Sequence, residues 1–137
     1  MMKHYADKHK EDVLELIREL CKIPAPSFHE DRRAEFCKKW LEQAGAEGVY
    51  IDEARNVIFP IGCEGSDEIT VVLAHLDTVF PDTVPFTPRA EGARLYCPGA
   101  FDDTANVAAL LMAAVMAVVI GLLFLVENRY GKDIDEE

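Results

Sequence analysis

Twenty consecutive apolar residues run from Val107 to Val126, and how they are accommodated constrains the fold more than any other stretch. By length alone such a run is a candidate membrane span. It is equally a long buried helix, or a helix to about Ile120 followed, after Gly121, by a strand GLLFLV. The segments before it read as a soluble fold, which favours the two soluble alternatives.

Those segments have clear periodicity. In KHKEDVLELIRELCK, residues 8–22, Val13, Leu14, Leu16, Ile17 and Leu20 fall on one side of a helix. The prolines of IPAPS stop it, because each disfavours helical geometry in the residue before it. Ser27 with Glu30 three residues on has the form of a capping box. The second helix then runs through EDRRAEFCKKWLEQAG, burying Ala34, Phe36, Cys37, Trp40 and Leu41, and stops at Gly45. Three extended runs follow, GVYIDE, NVIFPIG and EITVVLAH, with EGSDE as a turn between the last two. A loop rich in proline and glycine holds one short strand, RLYC. A further helix opens at DDTANVAALLMAA, with Asp103 or Thr104 as its cap. The expected fold is α/β, a layered sheet with flanking helices in a single domain over residues 1–137. In it ITVVL is a strand covered on both faces.

Charge narrows the partners. A net charge of −11 argues against nucleic acid and against anionic membrane surfaces, both of which select basic patches. Cys21, Cys37, Cys63 and Cys97 form no CxxC pair and read as reduced thiols. The charged start MMKHYADKHKED lacks the apolar stretch of a signal peptide, so a cytoplasmic location is the expectation.

The chemistry gathers at AHLDTVFP, residues 74–81. Side chains alternate along a strand, so His75 and Asp77 share a face at its C-terminal end, where ligands of α/β sheets collect. Imidazole is a common zinc ligand, and a ligating histidine usually donates its other N–H to a carboxylate. An ordinary strand end followed by a turn would look the same. CPGAFDDTAN, residues 97–106, adds two adjacent aspartates before an apolar helix. One satisfies a helix N-terminus; a second invites a cation, and a carboxylate can bridge two metal ions.

The order AHLDTVFP, a spacer of about two dozen residues, then GAFDDTANVAALLMAA resembles the zinc-dependent exopeptidases and deacylases. Peptidase T, aminoacylase, acetylornithine deacetylase and bacterial glutamate carboxypeptidase are members. KIPAPSFHEDRRAEFCKKWLEQAG and DEARNVIFPIG are similar to the family's first helical unit and the strand after it, so the likeness runs from about residue 10 to about 116. It implies the N-terminal part of a catalytic domain that hydrolyses an amide or peptide bond in a small peptide or N-acyl amino acid. Two zinc ions serve in the family. Here His75 would ligate one, Asp77 would orient His75 as part of the catalytic apparatus, and Asp102 would bridge both, ahead of a cis peptide to Asp103.

The family's downstream Glu-Glu pair, further acidic ligand and final histidine have no counterpart in recognisable context. Nor does its lid or dimerisation domain. Glu136 and Glu137 lie in a terminal tail, a poor place to fix a base, and His29 reads as a surface residue. The resemblance therefore implies a truncated chain, inactive alone. Two other readings stand beside it: a non-catalytic module that self-associates through the apolar 107–126 segment, and a single-span membrane protein.

Overall fold

The structure, a computed structural model, describes residues 7–131, with side chains to 123. Helix α1 spans Lys10–Cys21 and buries Leu16, Ile17, Leu20 and Cys21, the stripe its periodicity predicts. After the prolines, α2 spans Asp31–Gln43. It ends where Gly45 takes a left-handed φ of 92°. The Ala46 N–H then reaches the Leu41 carbonyl and the Gly45 N–H that of Glu42, the paired closure of a Schellman turn.

Two small antiparallel sheets follow. Strands β1 (Tyr50–Ile51) and β2 (Val57–Ile58) pair with Tyr50 opposite Ile58. Their connection is tied by Asp52, whose carboxylate accepts from the backbone N–H groups of Ala54 and Asn56 and from the Asn56 side chain. Strands β3 (Arg89–Glu91) and β4 (Arg94–Tyr96) form the second hairpin, with Ala90 opposite Leu95. Strand β3 has no signature in the sequence; β4 falls within the RLYC strand. A π-type turn at Ala100–Thr104 then leads into α3, Ala105–Gly131. The core lies where the helices meet. Leu16, Ile17, Leu20 and Cys21 of α1, Cys37 and Leu41 of α2, and Val107, Ala108 and Leu111 of α3 form one buried cluster.

The α/β class holds, but four local expectations change. ITVVL is extended yet belongs to no strand, and Ile69, Val71, Val72 and Leu73 are exposed. A sheet strand needs neighbours to take its N–H and C=O groups, and among the described residues none pairs with 69–73. Ser27 does not cap α2; the residue before that helix is Glu30, which makes no side-chain cap, and Ser27 is engaged elsewhere. Asp103 and Thr104 likewise cap no N–H of α3: the Asp103 carboxylate takes the His75 N–H and the Asn106 side chain. Finally, α3 runs unbroken through Gly121, so GLLFLV is helix and not strand. Glycine costs a helix only about 1 kcal/mol, too little to break one this apolar.

Phe36 and Trp40 are only partly buried, while Arg33 of the same helix is buried. His4, Glu136 and Glu137 lie outside the described residues.

Leu20 is 0% exposed and Leu73 81%. Leu20→Ala should therefore lower unfolding free energy by about 2–5 kcal/mol. Leu73→Ala should change it by less than about 0.5 kcal/mol. Urea denaturation of the two variants checks both.

Candidate metal centre

Three short segments meet at the end of the 69–78 run. The Thr78 N–H donates to the Ala25 carbonyl at 2.8 Å, and Pro26 and Thr78 form a parallel bridge. Gly99 packs on Thr78 so tightly that a Cβ there would stand 2.6 Å from Thr78 Cγ2, and its φ is 71°. Close approach and a left-handed backbone both require glycine. The Pro-Gly turn thus sets the aspartate pair against the strand end.

The side chains form a chain of contacts. The Ser27 hydroxyl donates to Asp77 Oδ2 at 2.6 Å. Asp77 Oδ1 lies 3.0 Å from His75 Nδ1, and His75 Nε2 lies 3.1 Å from Asp102 Oδ1. The His75 N–H meets Asp103 Oδ2 at 3.1 Å. The Asp102–Asp103 peptide is cis, as the resemblance implies. The structure therefore brings together His75, Asp77 and Asp102, all three residues that the sequence singled out. His29 is exposed in the turn before α2. Sequence reasoning missed Ser27, assigned to a cap, and Arg33, whose guanidinium donates to the Leu76 carbonyl between His75 and Asp77.

Three carboxylates around one imidazole dominate the electrostatics. Burial pulls His75 down, but the hydrogen bond to Asp102 and the charges of Asp103 and Asp77 outweigh it, leaving its pKa above the ordinary value. Asp77 is held below the usual carboxylate range, foremost by the Ser27 hydroxyl. Cys21 and Cys37 are pushed up to about 12, chiefly by burial, which makes them inert thiols.

With Nδ1–H donated to Asp77, the Nε2 lone pair of a neutral imidazole faces the Asp102 carboxylate. Two acceptors in contact need a cation between them: a proton, or a metal ion. Two zinc ligands about 2.1 Å from a tetrahedral ion stand roughly 3.4 Å apart. The 3.1 Å between Nε2 and Oδ1 is close to that edge. Donor type and spacing fit zinc; donor number does not fill its shell. Among the described residues, no group of three or more His, Cys, Asp or Glu side chains is arranged to hold a metal.

This pair of motifs is one found in a family of hydrolases. Residues 71–119, which carry His75, Asp77, Asp102 and Asp103, match Peptidase family M20/M25/M40, which supports the resemblance read from the sequence. Its relatives include a putative LysW-lysine/LysW-ornithine hydrolase of Pyrococcus abyssi, 35% identical over 106 residues, or 77% of this chain and 30% of that protein. A LysW-lysine hydrolase of Deinococcus radiodurans is 34% identical over 105 residues, 76% of this chain and 27% of that protein. A putative LysW-lysine/LysW-ornithine hydrolase of Pyrococcus furiosus is 30% identical over 105 residues, 77% and 30% respectively. The chain spans 27–30% of the length of these hydrolases.

Gly99→Ala should destabilise the fold by about 1–3 kcal/mol through the Thr78 clash and the left-handed backbone, read by thermal or urea unfolding. In the metal-free chain, Asp102→Asn should move the His75 pKa down toward its ordinary value, measured by NMR titration. The sign follows from linkage. A raised histidine stabilises the fold below its unfolded pKa, and that contribution is lost as pH rises through the folded value.

Proposed function

We propose that this chain carries part of a zinc-dependent site for hydrolysing an amide or peptide bond in a small substrate such as a peptide or N-acyl amino acid. The observation that carries the reading is the approach of His75 Nε2 to Asp102 Oδ1, with Asp77 behind the ring. His75 and Asp102 would be the metal ligands. Asp77 would fix the tautomer that presents Nε2, and Ser27 would hold Asp77. Bound zinc supplies Lewis-acid polarisation of the carbonyl and activation of water. The described residues orient the imidazole and concentrate negative charge. They bring no general base to this place, so turnover requires donors from elsewhere in a longer polypeptide or a second chain.

A non-catalytic, self-associating module is the second reading. The C-terminal half of α3 exposes Val119, Ile120, Leu122 and Leu123. Apolar patches of more than a few hundred Å² on soluble monomers usually mark contacts with other molecules. Residues 100–123 are also long and apolar enough to cross a membrane, by length and composition. The acidic chain and the match to a hydrolase family favour contact with protein over lipid.

Zinc per chain, measured by elemental analysis on protein purified without chelator and sized by light scattering, tests these readings. The metal reading expects zinc that Asp102→Ala removes. It also expects affinity to fall about tenfold per pH unit below the raised His75 pKa, because one proton competes with the metal. An oligomer that binds no zinc even with metal in excess would establish the non-catalytic module instead.

A further inference from the structure

Arg33 is the most deeply buried charge among the described residues, 2% exposed, and no carboxylate forms a salt bridge with it there. Its fork is spent on main chain. Nη1 donates to the Leu76 carbonyl at 2.8 Å, and Nη2 donates to the carbonyls of Leu20 at 3.0 Å and Ile23 at 2.8 Å. Nη1 also stands 3.5 Å from Thr104 Oγ1, a marginal contact with the residue after the aspartate pair. Nε is a buried side-chain atom with no partner. Burial lowers the guanidinium pKa, yet arginine stays charged in proteins. An ion is thus kept in the interior at a cost of several kcal/mol in desolvation, with carbonyl dipoles as its principal compensation.

The placement of those dipoles is informative. Leu20 and Ile23 lie at the end of α1 and just beyond it, and Leu76 separates His75 from Asp77. A hydrophobic side chain could fill the same space but could not accept or donate at these three points. A planar fork pre-organised for several acceptors can.

We propose that Arg33 is a positioning residue for the metal centre: it holds the Leu76 peptide so that His75 and Asp77 face the Asp102 side. The proposal rests on the zinc reading for its functional meaning, but its geometric content can be tested without metal. Ligand supports of this kind typically change metal affinity by about 10–100-fold when removed.

The test compares wild type with Arg33→Met, Arg33→Lys and Leu41→Ala. Leu41 is buried on the same helix in the apolar cluster and makes no side-chain hydrogen bond to the chain of contacts around His75, so its variant supplies a loss of stability without removing those polar contacts. Zinc affinity is measured by competition with a chromophoric chelator. Hydrogen exchange is followed at the His75 and Thr78 amides, which donate to Asp103 and Ala25.

Arg33→Met should weaken zinc binding by about 10–100-fold and speed exchange at both amides. Leu41→Ala, even at an equal loss of Tm, should keep wild-type zinc affinity. A folded Arg33→Met with wild-type affinity and exchange overturns the proposal. If that variant does not fold, Arg33→Lys decides. One ammonium cannot span three carbonyls, so weaker zinc binding and faster exchange are expected, and wild-type values for both overturn it. Wild-type protein that binds no zinc refutes the metal reading alone, and the exchange comparison still decides the role of Arg33.

Discussion

One buried guanidinium joins the helical core of this molecule to its candidate metal centre. Arg33 takes carbonyls from Leu20 and Ile23 on one side and Leu76 on the other. Remove that cation and the Leu76 and Ile23 carbonyls lose a partner, while Leu20 keeps the Ile23 N–H; a buried acceptor left unmade costs about 1–3 kcal/mol. The helical core could survive such a loss, because its apolar cluster is built on other residues. The link between that core and the chain carrying His75 and Asp77 would be weakened. Stability and site geometry are therefore partly separable: leucines and cysteines hold the helices together, and polar contacts from Arg33 and Ser27 hold the centre to them.

Some of this is legible in the sequence and some is not. The first two helices follow from period and breakers, and Gly45 ends α2 by the backbone conformation only glycine adopts easily. Arg33 is one of four charged residues in DRRAEF, and one of its two arginines. Its signal was phase, since 33, 37 and 41 fall on one helical face, and both Cys37 and Leu41 are buried. Charge type hid that face. Ser27 was misread for the opposite reason: a local motif offered a complete explanation, and its actual partner is 50 residues away. Nothing in a local pattern reports a contact over that distance. The ITVVL run was read from its composition, which describes a strand that has neighbours; composition does not supply them. At the site, the spacing of HLD and DD, together with the resemblance to a known family, located the residues that the fold brings together.

The two apolar surfaces set a common constraint. The 69–73 run and residues 119–123 of α3 leave apolar side chains in water, at a cost of roughly 25 cal/mol for each Å² left uncovered. By contrast, the described residues that α3 gives to the buried cluster, Val107, Ala108 and Leu111, lie near its start. The helix is thus anchored beside the aspartate pair, while its residues 119–123 gain from any apolar partner. Anchoring at the functional end explains how so unbalanced a helix can still present Asp102 at a fixed place.

The open ITVVL run has a further consequence for colloidal behaviour. β-branched, uncharged and unpaired, it has the composition of a segment that stacks on copies of itself. Its flanks oppose this. Asp67 and Glu68 precede it, and Asp77 follows shortly after. In an in-register stack, like carboxylates would recur every 4.8 Å or so along the fibril axis. The carboxylate that steadies a histidine in the folded chain is thus also a gatekeeper against fibril growth, and acid that protonates it would disarm both functions at once.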